Sequence, residues 1–185
     1  MYAHVLVPVK RLGDAKTRLA EALSPEERAE LMRELLAHVL DAVQQAKVGP
    51  VTVVSSEPLP LNGVPRFDDQ DLPWNDALAT AMRMVVREPV VAVVSADLPL
   101  LSPDDVRTLV AFAPQRGVAI ARATDGGTNA IAMRPPGILA TCFGERESAA
   151  LHERTAWTVG ADAHIVDLPG LAFDIDTPED LRAWR

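Results

Sequence analysis

Apolar residues group along the chain in two ways. Short β-branched runs bounded by turn residues, Val5 to Val9, Val51 to Ser55 and Val90 to Ser95, lack the polar alternation of a half-exposed sheet and predict strands buried on both faces. Between them lie segments with helix-start signals. In Ser24-Pro25-Glu26-Glu27 the serine can cap, the proline suits the first helical position and Glu27 completes a capping box, predicting a helix to about Lys47, stopped by Gly49-Pro50. A second helix is expected from about Trp74 to Arg87, and a third after Ser102-Pro103-Asp104-Asp105. Val118 to Ala121 and Asn129 to Met133 read as strands, followed by a helix around Ser148 to Val159. Strands near His164 to Val166 and Leu171 to Phe173 come next, and a last helix starts at Thr177-Pro178-Glu179-Asp180. Strands alternating with helices predict an α/β fold, a mostly parallel central sheet with helices on both faces, as one domain over 1–185. Ligands of such sheets bind outside the carboxyl ends of the strands.

Composition narrows the partners. The 185 residues are 48% apolar and carry a net charge of -8, which argues against a general nucleic-acid binder because that affinity comes from broad basic surface. The one cysteine, Cys142, forms no internal disulfide and belongs to no zinc-like spacing, so a reducing, cytoplasmic setting is expected. The apolar run from Ala3 to Val9 is too short to span a bilayer, so no membrane association is expected.

The basic residues that exist are concentrated. Lys10, Arg11, Lys16 and Arg18 follow the first strand, and two of the three lysines of the chain are among them. Neither G-x-G-x-x-G nor a Walker A sequence occurs there, so the loop would hold phosphates through side chains instead of backbone amides. A carboxylate, Asp97, ends the valine-rich strand, where it is costly to bury unless paired or bound to metal, and where it is well placed to ligate Mg²⁺. In Phe173-Asp174-Ile175-Asp176-Thr177 strand alternation puts Asp174 and Asp176 on one face. Asp176 is the candidate second ligand, and Asp174 is left between a structural and a functional role. The turn Asp125-Gly126-Gly127-Thr128-Asn129 allows a close backbone approach and offers the Thr128 and Asn129 side chains to an anion, although a plain hairpin uses the same glycines.

Taken together, Pro8-Val9-Lys10-Arg11-Leu12, Ala15-Lys16-Thr17-Arg18-Leu19, Ser95-Ala96-Asp97-Leu98-Pro99, Gly126-Gly127-Thr128-Asn129, Phe143-Gly144 and Asp174-Ile175-Asp176-Thr177-Pro178 resemble the 2-phospho-L-lactate guanylyltransferase family. That family includes the phosphoenolpyruvate guanylyltransferases and acts in coenzyme F-420 biosynthesis. The resemblance implies a three-layer, nucleotide-diphospho-sugar transferase-like domain that transfers GMP from GTP to the phosphate of a small phosphorylated carboxylic acid and releases pyrophosphate. It implies Mg²⁺ on Asp97 and Asp176, nucleotide binding by Lys10, Arg11, Lys16, Arg18 and Asn75, and acid binding by Thr128, Asn129, Gly144 and Ser148. Lys10, Lys16 and Asp97 are the catalytic candidates. GTP and the acid are the expected partners, with a homodimer held open.

One position departs from the pattern. Glu147 stands where the family has its serine, so Ser148 is matched by assuming a one-residue insertion, and His152 is taken as a helix residue. The proline-punctuated stretch from Ser55 to Pro73 is long for a connection; its Asp68, Asp69 and Asp71 are candidate acceptors for guanine N–H groups against a solvated loop. Two other functions compete: a related nucleotidyltransferase acting on a molybdenum-cofactor or sugar-phosphate substrate, and a non-catalytic nucleotide-binding module.

Overall fold

In the computed structural model all residues are described except Met1, Ala15 and Asn62, and Asp14 through its backbone only. Ala15, part of the first-loop motif, thus lies outside the described residues. Seven strands form one sheet: β1 (His4–Pro8), β2 (Val51–Val54), β3 (Arg66–Phe67), β4 (Val91–Val94), β5 (Gly117–Arg122), β6 (Thr128–Arg134) and β7 (Asp162–Val166). Their order is β3-β2-β1-β4-β6-β5-β7. β6 runs antiparallel to both neighbours, β4 and β5, while the remaining pairs are parallel. The start of β6 therefore lies at the same sheet edge as the carboxyl ends of β1 and β4, with the Ser95 amide donating to the Asn129 carbonyl at 2.9 Å.

Side-chain alternation divides two cores across the sheet. Val5, Val7, Ala92, Val94, Ala119, Ala121, Ala130 and Ala132 share one core with α1 (Pro25–Ala46) and α3 (Pro103–Phe112). Leu6, Val91, Val93, Val118, Ile120, Ile131 and Met133 share the other with α2 (Trp74–Met84) and α4 (Ser148–Thr158). With both faces covered, a strand needs no polar positions, which is why the runs read as continuously apolar.

The expected helix starts hold. Ser24, Ser102 and Thr177 each accept from the backbone of the third residue onward and receive its carboxylate in return, opening α1, α3 and α6 (Pro178–Trp184). α2 ends at Met84 instead of Arg87, where β-branched Val85 and Val86 cost helix propensity. The expected strand at Leu171 to Phe173 is absent: Pro169–Ala172 form a helical turn, α5. Pro169 suits a first helical position, and Gly170 lies so close to α3 that a Cβ there would stand 2.1 Å from Asp105 Oδ2, leaving no room for a strand side chain. Part of the stretch from Ser55 to Pro73 is not loop, because Arg66–Phe67 pair with β2. No helix among the described residues is long and apolar enough to cross a membrane.

Candidate active site

The sheet edge where β1, β4 and β6 meet opens on a cavity of about 390 Å³. Lys10, Lys16 and Arg18 line it from the loop after β1, Asp97 from the end of β4, Asn129 from the start of β6, and Asp174 and Asp176 from the segment before α6. Two turns of 3-10 helix, Leu12–Asp14 and Thr17–Leu19, shape the first loop, and Lys16 between them adopts a left-handed backbone, φ 53°. Leu12 and Leu19 are buried beneath it, so apolar anchors hold a segment whose other side chains are charged.

Lys16 is the centre of the charge network. Its side chain is only 4% exposed and its Nζ donates to Asp97 Oδ2 and, at 2.8 Å, to Asp176 Oδ1. Burial works against its charge, but the Asp97 and Asp176 carboxylates outweigh it and hold the pKa above the ordinary lysine value. Asp97, Asp174 and Asp176 each bring an oxygen to within 4.8 Å of the others. Burial, followed by the charge of Asp97, raises the Asp174 pKa to about 6, against the hydrogen bond from Asn129 Nδ2 at 3.2 Å. Three carboxylates against the buried Lys16 ammonium and the exposed Arg18 guanidinium, 3.5 Å from Asp176, leave an excess of negative charge, and hard oxygen donors at this spacing fit a divalent cation such as Mg²⁺. Alternation does place Asp174 and Asp176 together, with Ile175 fully buried on the opposite side, although the segment pairs with no strand. Asp174, left undecided on sequence grounds, is thus part of the acidic group.

The other cations are more exposed. Lys10 Nζ lies 5.0 Å from the centre of the Trp74 ring, and Trp74 at the start of α2 also lines the cavity. A cation over an aromatic face keeps its orientation while facing solvent. Arg11 points into an adjoining recess of about 480 Å³ and grips Asp71 through two nitrogens, Nε donating at 2.9 Å. Hydrogen bonds from Ser56 and Arg11 hold the Asp71 carboxyl below its ordinary pKa. Asp69 also lines this recess, while Asp68 is turned to Arg66.

A second, neutral network lies beside the first. Gly144, φ +80°, lines the cavity, but Thr128 and Ser148 are buried behind it. Ser148 Oγ donates to Thr128 Oγ1 at 3.0 Å, and His152 Nδ1 lies 3.0 Å from the same oxygen. The Cys142 amide donates to His152 Nε2 at 2.9 Å, which leaves the imidazole proton on Nδ1. Burial lowers the His152 pKa to about 4, so the ring is neutral at pH 7. Asn75 bonds to Phe143 at both ends of its amide, Nδ2 to the carbonyl at 3.1 Å and Oδ1 from the amide at 3.0 Å. Both ends of the Asn75 amide, expected to meet the nucleotide, thus meet the Phe143 backbone in this structure. Glu147 carries the departure from the family pattern in a left-handed backbone, φ 54°, ahead of α4, and its carboxylate stands over Gly126. Sequence reasoning treated His152 as an ordinary helix residue; its four-residue spacing from Ser148, which puts both on one helix face, is the signal of their partnership.

Known proteins resemble the chain in sequence and in fold. The family model described as guanylyl transferase CofC like matches residues 3–183. The phosphoenolpyruvate guanylyltransferase of Sphaerobacter thermophilus is 40% identical over 185 residues, covering 95% of this chain and 89% of that protein. The 2-phospho-L-lactate guanylyltransferase of Haloarcula marismortui is 40% identical over 168 residues, covering 90% and 77%. Among solved structures, a Desulfovibrio desulfuricans G20 protein described as a nucleotide-diphospho-sugar transferase superposes with a TM-score of 0.82 at 19% identity, covering 99% of this chain and 86% of that one. A Methanothermobacter nucleotidyl transferase gives a TM-score of 0.70 at 20% identity, covering 100% and 96%. The solved structures establish a nucleotide-diphospho-sugar transferase-like fold. With relatives this similar along nearly its full length, the chain belongs to the CofC-like guanylyl transferases, a family of nucleotidyltransferases.

Proposed function

We propose that the chain transfers GMP from GTP to the phosphate of a small phosphorylated carboxylic acid, phosphoenolpyruvate or 2-phospho-L-lactate, in coenzyme F-420 biosynthesis. The observation that carries this reading is the single cavity that unites the first-loop cations with the Asp97, Asp174 and Asp176 carboxylates. The names of the relatives supply the acid, and phosphoenolpyruvate is favoured because the bacterial relatives are named for it.

An oxygen of the acid's phosphate attacks the α-phosphorus of GTP; that bond forms as the bond from the α-phosphorus to the bridging oxygen breaks, and pyrophosphate leaves with the electron pair. A phosphate monoester has a second pKa of about 6 and is already dianionic near neutrality, so no general base is required. The difficulty is repulsion between two polyanions. Lys10, Lys16 and Arg18 meet that charge from the first loop. Mg²⁺, which Asp97 and Asp176 would hold with Asp174 alongside, supplies further neutralisation of phosphate oxygens. The base occupies the adjoining recess, where Asp69 and Asp71 offer carboxylate acceptors to guanine N–H donors. Asn129, Gly144, Thr128 and Ser148 serve the acid on the opposite side, Asn129 and Gly144 from the cavity wall and the two hydroxyls from behind it.

The test is pyrophosphate release with Mg²⁺, each of the four nucleoside triphosphates, and phosphoenolpyruvate, 2-phospho-L-lactate or 3-phosphoglycerate in turn. Release is expected with GTP and one of the first two acids. No release from any pair sinks the proposal, and release with another nucleotide overturns the guanine assignment.

A further inference from the structure

The segment from Cys142 to Gly144 belongs to no helix or strand, yet it forms part of the cavity wall. Backbone groups in such a segment lack ladder partners and must find others. Three of them are taken by two side chains: the Cys142 amide by His152, and the Phe143 amide and carbonyl by Asn75. The two side chains come from helices packed in the same core, Asn75 from α2 and His152 from α4. The Phe143 ring fills the space between, meeting the His152 ring edge-on at 5.2 Å.

Donor and acceptor roles then follow in sequence. A backbone amide only donates, so the Cys142 amide fixes His152 Nε2 as an acceptor and leaves the proton on Nδ1. That proton faces Thr128 Oγ1, which also accepts from Ser148 Oγ. Thr128 Oγ1 is thus held from two sides, by His152 and by Ser148.

We infer that Asn75 and His152 are positioning residues for the phosphorylated acid: they hold the Cys142–Gly144 loop, so that the Gly144 backbone on the cavity wall is set against that ligand, with the Thr128 hydroxyl fixed behind it. The inference rests on the reading that the acid binds on this side of the cavity. It gives Asn75 a role on the acid side and none in direct nucleotide contact.

The experiment uses the full chain and two independent readouts. Amide hydrogen exchange followed by NMR reads the grip whatever reaction the protein performs. Loss of one hydrogen bond is worth roughly a factor of ten, so Asn75→Ala is expected to speed exchange at Phe143, and His152→Phe at Cys142, by about that factor, with the strand amides unchanged. Steady-state pyrophosphate release with GTP and phosphoenolpyruvate reads the consequence: KM for the acid rises about tenfold in either variant, and KM for GTP stays within about twofold. His152→Gln returns an acceptor near the place of Nε2 and should restore the acid KM towards wild type, which also covers the case in which the Phe variant fails to fold. A raised KM for GTP with an unchanged KM for the acid assigns Asn75 to the nucleotide and overturns the inference, as does unaltered exchange at both amides. If the wild-type protein turns over no acid at all, the transfer reaction is what fails, and amide exchange decides the grip alone.

Discussion

Two polar networks meet at the carboxyl edge of the sheet, and they are built on opposite terms. In the network of Lys16, Asp97, Asp174 and Asp176 the charges do not balance, and one member, Asp174, is pushed up to a pKa of about 6. In the network of Asn75, Phe143, His152, Thr128 and Ser148 every member is neutral, and donors match acceptors almost to the last proton. The first has room for a cation, whereas the second is satisfied within the chain and fixes geometry. Charge reacts to pH, salt and cations, while a satisfied neutral network reacts chiefly to loss of a partner.

The two networks differ most in what Asp97 contributes. Asp97→Asn keeps the shape of the side chain and removes half of the carboxylate pair around Lys16. Pyrophosphate release at saturating Mg²⁺ is expected to fall by about a thousandfold, the scale of losing charge stabilisation in a closed site, with the circular dichroism spectrum unchanged. Near-normal rates would remove Asp97 from the reaction, and a loss no larger than that of Asn75→Ala would erase the distinction between the networks.

Sequence alone already showed most of this charged half. Lys10, Lys16 and Arg18 stand within a few residues of one another, and Asp97 and Asp176 are conspicuous because charge at the end of a buried strand is costly. The neutral half was harder to read. Thr128, Cys142, Ser148 and His152 are unremarkable residue types whose meaning lies in pairing across 20 or 24 positions of chain, with burial that depends on α4 closing over the sheet. The fold followed the same division. Buried parallel strands and capped helices carry local signals, but the reversal of β6 and the helical turn at Pro169–Ala172 depend on neighbours, only glycine fitting at position 170 because α3 stands against it.

A smaller effect separates the networks through stability. A cation that binds only the folded chain stabilises it by about 2.7 kcal/mol at a hundredfold excess over its Kd, or roughly 5–10 °C for a chain of this size. Mg²⁺ is therefore expected to raise the melting temperature of the wild-type protein and of His152→Gln alike, and to leave that of Asp97→Asn nearly unmoved. An equal rise in all three would place the cation elsewhere.

The smallest effect concerns Asp174. Its folded pKa of about 6 lies above the ordinary 3.8, so the folded chain binds the proton more tightly and this group costs stability as pH rises from about 4 to about 6. Without Mg²⁺, Asp174→Asn should therefore gain about 1–2 kcal/mol over wild type above pH 6 and nothing below pH 4, as read from urea denaturation. Parallel curves for the two proteins across that range would show that Asp174 carries no such burden.

The reach of the Lys16 contacts bears on how the protein is made. Lys16 meets Asp97 across 81 residues and Asp176 across 160, and between them the chain must lay down the whole sheet. Contacts so distant in sequence close late, after the loop entropy of the intervening chain has been overcome. A nascent or partly folded chain has the cations of its first loop but neither carboxylate opposite them. The charged cluster thus assembles only when the sheet is complete, so whatever the site binds under the proposed function would be met by folded molecules alone.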